Sequence, residues 1–168
     1  MPEGRDALLR GAQYQTILSP AVLDWVPGLG YMVYKVDSGA TAADALFTVT
    51  GRNLITLITG TVSVAIGGEV TSASVNTVTA NIILASSATV LDGAAAGTVV
   101  IVEGDGTALV AGTGSSGVGA AASGQFGNIV VDGDNIERNF DGTAGAGVIE
   151  WWLYYIPLEA GASIVSAA

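Results

Sequence analysis

The 168-residue chain predicts an all-β fold: an antiparallel β-sandwich or barrel, jelly-roll-like, with an extended N-terminal arm. Three observations lead there. Eight or nine short runs rich in Val, Ile, Thr and aromatic residues are separated by Gly- and Asp-bearing turns. No segment keeps a convincing helical period. A run near the C-terminus, residues 147–158, is apolar on both faces, so that with period two Trp151, Leu153 and Tyr155 share one side and Trp152, Tyr154 and Ile156 the other. Such a strand must be covered twice, by its own chain or by a second subunit.

Taken in order, residues 1–30 predict the arm, because Gly4, Gly11, Pro20, Pro27, Gly28 and Gly30 forbid a long helix. Its hydrophobes, among them Tyr14, Leu18 and Trp25, need a surface to lie on. Residues 31–168 predict a single antiparallel β-domain. Tyr31–Val36 and Ala45–Thr50 are its first strands, and Gly51-Arg52-Asn53 breaks the second. Leu54–Ile66 is a long β-branched run whose inner Gly60 suggests a bulge or bend. Gly67-Gly68 fits a two-residue hairpin loop with Glu69–Val75 returning. Thr77–Ala85 reads as a further strand and Ser86–Gly97 as a loop. Thr98–Glu103 and Thr107–Val110 flank Gly104-Asp105-Gly106, a hairpin signal. Residues 112–124, nearly all Gly, Ser and Ala, form a loop that buries little. Phe126–Val131 is a strand, Asp132–Gly145 a polar loop, and the aromatic strand closes the domain, with Pro157 ending its ladder. No fixed-period repeat is present, which argues against a solenoid or propeller.

Composition narrows function. Fifteen acids against five scattered bases give a net charge of −10, which disfavours nucleic-acid binding and suits solubility or docking on a basic partner. Charged residues are only 12% of the chain, as expected of a subunit with much of its surface against neighbours. No stretch reads as a transmembrane span, so no membrane partner is expected, and the N-terminus lacks a secretory layout, which predicts synthesis in a cytoplasm.

The chemical inventory is thin. There is no cysteine and no histidine, which removes thiolate and histidine-based catalysis and the commonest metal ligands. Gly112-Thr-Gly114-Ser-Ser-Gly117 matches a dinucleotide-binding spacing, but no helix-forming sequence follows to hold a pyrophosphate. Asp132, Asp134, Glu137 and Asp141 invite a calcium reading, against which Ile136 and Glu137 stand where an EF-hand loop needs a ligand and a glycine. Glu103 and Asp105 sit at one turn instead of across a cleft. No enzyme, cofactor or metal site is expected. The candidate contact residues are Tyr14, Leu18, Trp25, Trp151, Trp152, Tyr154 and Tyr155, with a carbohydrate platform as the alternative use of the aromatics.

Two segments carry a resemblance. Leu46–Gly51 followed by Ile55–Val62, and Gly147–Trp151 with Tyr155-Ile156-Pro157-Leu158-Glu159-Ala160-Gly161-Ala162, are similar to a group of small β-rich structural proteins of tailed bacteriophages, over about a third of the chain. The resemblance implies a virion component assembled in the host cytoplasm and placed on the capsid surface. It would be a decoration (cement) protein that binds the major capsid protein, often as a homotrimer, with tail or fibre placement as the alternative.

Overall fold

In a computed structural model, the described residues are 25–26, 30–38, 43–67, 70–88, 91, 93–102, 110–112, 129–142 and 147–168. They form twelve strands and no α-helix: β1 Trp25–Val26, β2 Gly30–Asp37, β3 Ala43–Thr50, β4 Arg52–Val64, β5 Val70–Thr77, β6 Ile83–Ala88, β7 Val99–Val102, β8 Val110–Gly112, β9 Ile129–Asp132, β10 Ile136–Gly142, β11 Val148–Pro157 and β12 Ser163–Ser166.

The pairing is antiparallel throughout and nested. β5 pairs β6, β4 pairs β7, β3 pairs β10 and β2 pairs β11, the pattern of one long hairpin folded back on itself near residues 78–82. Two further ladders, β11 on β4 and β10 on β5, roll that hairpin into two sheets. The first sheet runs β1-β2-β11-β4-β7-β8, with β9 sharing the β4 edge beside β7, and the second runs β12-β3-β10-β5-β6. This is a double-sheet jelly roll, a two-sheet closure that leaves few edges open.

Alternation along each strand builds the core. In β11, Ile149, Trp151, Leu153 and Tyr155 point inward and are buried, as are Ile55, Ile58 and Val62 of β4. From the second sheet, Leu46, Phe47, Val75, Leu84, Ile136 and Phe140 meet them in one cluster. Each such side chain contributes about 1.5–3 kcal/mol on full burial.

Several sequence expectations need correction. Gly60 makes no bulge: it pairs Trp151 on one side and Val100 on the other, and the ladder irregularities fall between Val148 and Ile149 and between Tyr154 and Tyr155. The glycine is there because a Cβ would lie 2.9 Å from Cε3 of Trp151. Gly67-Gly68 joins no hairpin, since β4 and β5 belong to different sheets and the chain crosses between them. Thr77–Ala85 is not one strand; Val78–Ala80 turn the chain between β5 and β6, with Asn81 in the left-handed region at φ 50°. Asp132–Gly145 is no mere loop, for it contains β10, the middle strand of the second sheet. The aromatic strand does not end the fold either, because β12 follows and pairs β3.

An ionic clamp joins the sheets. Arg138 on β10 donates from Nε to Oδ2 of Asp37 on β2 at 2.7 Å and from Nη2 to Oδ1 at 2.8 Å, both residues fully buried. The Trp151 indole N–H points to the same carboxylate at 3.4 Å, and the guanidinium lies 3.7 Å from the centre of the Phe140 ring. Of the arm, Trp25–Val26 pair Tyr31 and Gly30 as a short edge strand; residues 1–24 lie outside the described residues.

Candidate interaction surface

The two outer faces of the sandwich differ in chemistry. On the first sheet, the outward row of β11 is Glu150, Trp152, Tyr154 and Ile156, all half-buried. Register sets Val36, Tyr34 and Met32 of β2 beside the first three, and Thr61, Thr59 and Leu57 of β4 on their other side. Ile101 and Val99 of β7 continue the face from Thr59 and Thr61, and Val130 of β9 adds an exposed apolar group opposite Leu54. The Tyr34 and Trp152 rings lie 5.4 Å apart, inclined by 46°. Among these outward side chains only Glu150 is charged. Partial loss of solvent first, and then the Glu150 carboxylate that accepts its hydrogen bond, raise the Tyr34 phenol above its ordinary pKa.

The second sheet turns a polar face outward. Asn139 Nδ2 donates to Asn76 Oδ1 at 2.6 Å and to Glu137 Oε1 at 3.0 Å, and Asn76 Nδ2 donates to Glu137 Oε1 at 2.9 Å. Exposed Ala43 and Ala45 stand opposite Asn139 and Glu137 in the ladder, with Ile83 and Val165 as apolar exceptions on the outer strands. A surface of amides and small side chains is already satisfied in water, whereas a row of rings is not.

Where the sheets meet along β2 and β12 there is a groove of about 500 Å³ lined by Tyr31, Met32, Val33, Tyr34, Tyr155, Ile164, Val165 and Ser166. Tyr31 and Tyr155 rings stand 5.8 Å apart in it, and Lys35 Nζ of β2 donates to the carbonyl of Ala167, just past β12, at 2.9 Å.

The sequence candidates are thus divided. Trp152 and Tyr154 lie on the apolar outer face. Trp151 and Tyr155 do not: at 0% and 7% exposure they belong to the core, because the strand's alternation sends them between the sheets. Tyr14 and Leu18 lie outside the described residues, and Trp25 is placed by its backbone alone. Sequence reading missed Tyr34, Val36 and Glu150 as members of this face; only the β2–β11 register brings them together.

The acidic stretch is dispersed into separate structural tasks. Asp134 accepts the Thr79 and Ala80 amides at 2.8 Å each, and Asn135 Oδ1 accepts the Val49 amide at 3.0 Å. Desolvation alone would raise the Asp134 carboxyl, but the Ala80 and Thr79 amides, with the Thr77 and Thr79 hydroxyls, outweigh it and hold the pKa below the ordinary range. Among the described residues no three acids gather as a cation site. Glu103, Asp105 and residues 113–124 of the glycine-rich loop lie outside the described residues. No protein-family model, curated protein or solved structure matches the chain.

Proposed function

We propose that this chain is a non-enzymatic structural protein of a tailed-phage virion, a capsid decoration protein that lies with the outer face of its first sheet on the major capsid protein. The observation that carries the reading is the contrast between the faces: rings and β-branched side chains on one, a satisfied amide network on the other. A sandwich with one such face is suited to being laid down in one orientation, ringed face covered and amide face in water. The jelly roll adds support by analogy of fold alone, since viral capsid domains use it, as do lectins and cupins. The particle and the homotrimer come from the sequence resemblance. Many copies on a closed shell let modest contacts accumulate as avidity.

Co-sedimentation with purified tail-less heads of the source particle tests this. Binding that Trp152→Ala weakens, with the melting curve unchanged, is expected, together with a free-solution mass of three 16.7 kDa chains. Retention on tails alone, or no retention on any part of the particle, would overturn the placement. A second reading, a tail or fibre module that binds a glycan, is favoured by the pairing of exposed Tyr34 with half-buried Trp152 on the outer face and predicts sugar-dependent quenching of tryptophan fluorescence.

A further inference from the structure

We infer that the partner of the ringed face is a basic protein surface, one presenting an arginine or lysine flanked by apolar side chains, with its cation held between the Glu150 carboxylate and the Trp152 ring. This rests on the assembly reading above and specifies its partner. Glu150 stands half-buried on β11, between Val36 and Thr61 on the flanking strands. Its neighbour Tyr34 supplies a hydroxyl hydrogen bond but no charge. Covering the face removes the remaining water from this carboxylate, which is costly unless the covering surface brings a donor or a cation.

The described residues offer no spare cation for that role. Lys35 is bonded to the Ala167 carbonyl, Arg52 to Glu159, and Arg138 is buried on Asp37. A second copy laid face to face would therefore bring its own Glu150 into the same apolar seam, and like charges so placed oppose association. A guanidinium or ammonium instead finds both of its favoured partners here. It meets a carboxylate for a charge-assisted hydrogen bond, and the indole of Trp152, the best ring for a cation, beside the Tyr34 ring 5.4 Å away. The net charge of −10 favours the same encounter at longer range.

The test uses the full chain and two short synthetic peptides, one alternating valine with arginine and the other valine with glutamate, followed by tryptophan fluorescence at low and high salt. The valine–arginine peptide is expected to bind more weakly as salt rises, and Glu150→Gln to lower its affinity roughly three- to tenfold without moving the melting temperature. Equal binding of the acidic peptide, or an unchanged affinity in Glu150→Gln, would overturn the inference. So would peptide binding that emerges only after Arg5→Gln with Arg10→Gln, since the chain's own bases would then fill the site. An oligomer that dissociates on Trp152→Ala while peptide binding is absent would overturn it in favour of a second copy; heads that still retained the chain would then leave the assembly reading standing with its contact on another face. A chain that binds neither peptide, stays monomeric and ignores heads would sink both.

Discussion

Breaking the buried pair between the sheets should be the most damaging small change available in this chain. Asp37→Asn keeps the shape of the side chain but leaves the Arg138 guanidinium, fully buried, without the two charged acceptors it holds at 2.7 and 2.8 Å. Removing one member of a buried pair costs about 3–5 kcal/mol, because the survivor keeps its desolvation cost. Two features place the loss toward the lower end. The Phe140 ring stays under the cation, and the Asp44 carboxyl, held above its ordinary pKa by burial first and then by the nearby Asp37 charge, still attracts the guanidinium. A loss of about 3 kcal/mol is a large share of a total of roughly 5–15 and should lower the melting temperature by about 6–12 °C for a domain of this size. Urea unfolding followed by tryptophan fluorescence is the assay, and Trp151, whose indole points at the same carboxylate, is its natural reporter. Asp37→Leu with Arg138→Met should recover most of the loss, since apolar replacement of a whole buried pair is often neutral or better. A single-substitution cost under about 1 kcal/mol, at unchanged denaturant slope, would refute the clamp: the pair would then be hydrated and the sheets held by apolar contact alone.

Three further outcomes are expected. Gly60→Ala should cost about 1–3 kcal/mol by overpacking, since the new methyl would sit 2.9 Å from the Trp151 ring and 3.1 Å from Ile149; Trp151→Phe should soften that cost, and a neutral Gly60→Ala in urea unfolding would deny the close approach. Asp134→Ala should cost about 1 kcal/mol, less than the roughly 1.5–3 of a charged hydrogen bond, because water can replace the acceptor at the exposed Thr79 and Ala80. Its carboxyl lies below its ordinary pKa in the fold, so this contribution is present above the unfolded value and lost as pH falls through the folded one. Melting curves across that range should converge for the two proteins, and added calcium should leave both unmoved. Asp44→Asn should act in the opposite sense. A carboxyl raised in the fold weakens the folded state at neutral pH, so the variant should melt higher at pH 7 and lose its advantage as acid protonates Asp44 in the parent. A gain that grows on acidification would contradict the shift.

By itself the sequence determined that this chain would be sheet, and which strand would stand at its centre. Period-two alternation is a local property, so Trp151, Leu153 and Tyr155 can be separated from Trp152, Tyr154 and Ile156 without knowing any partner. The pairing of β7 with β8 was legible for the same reason, the two strands lying close in sequence; Gly104-Asp105-Gly106 lies outside the described residues. The register between distant strands is not written locally. Nothing near Gly60 announces the indole that occupies its missing side chain, and nothing near residues 136–142 announces a central strand, since Arg138 looks like surface until Asp37, a hundred residues earlier, is set against it. Two outward rows of unlike chemistry likewise arise only when β2, β11 and β4 lie side by side in one sheet and β3, β10 and β5 in the other. Which row of rings faces the core is decided by that long-range pairing, because burial is a property of the assembled layers and not of the strand.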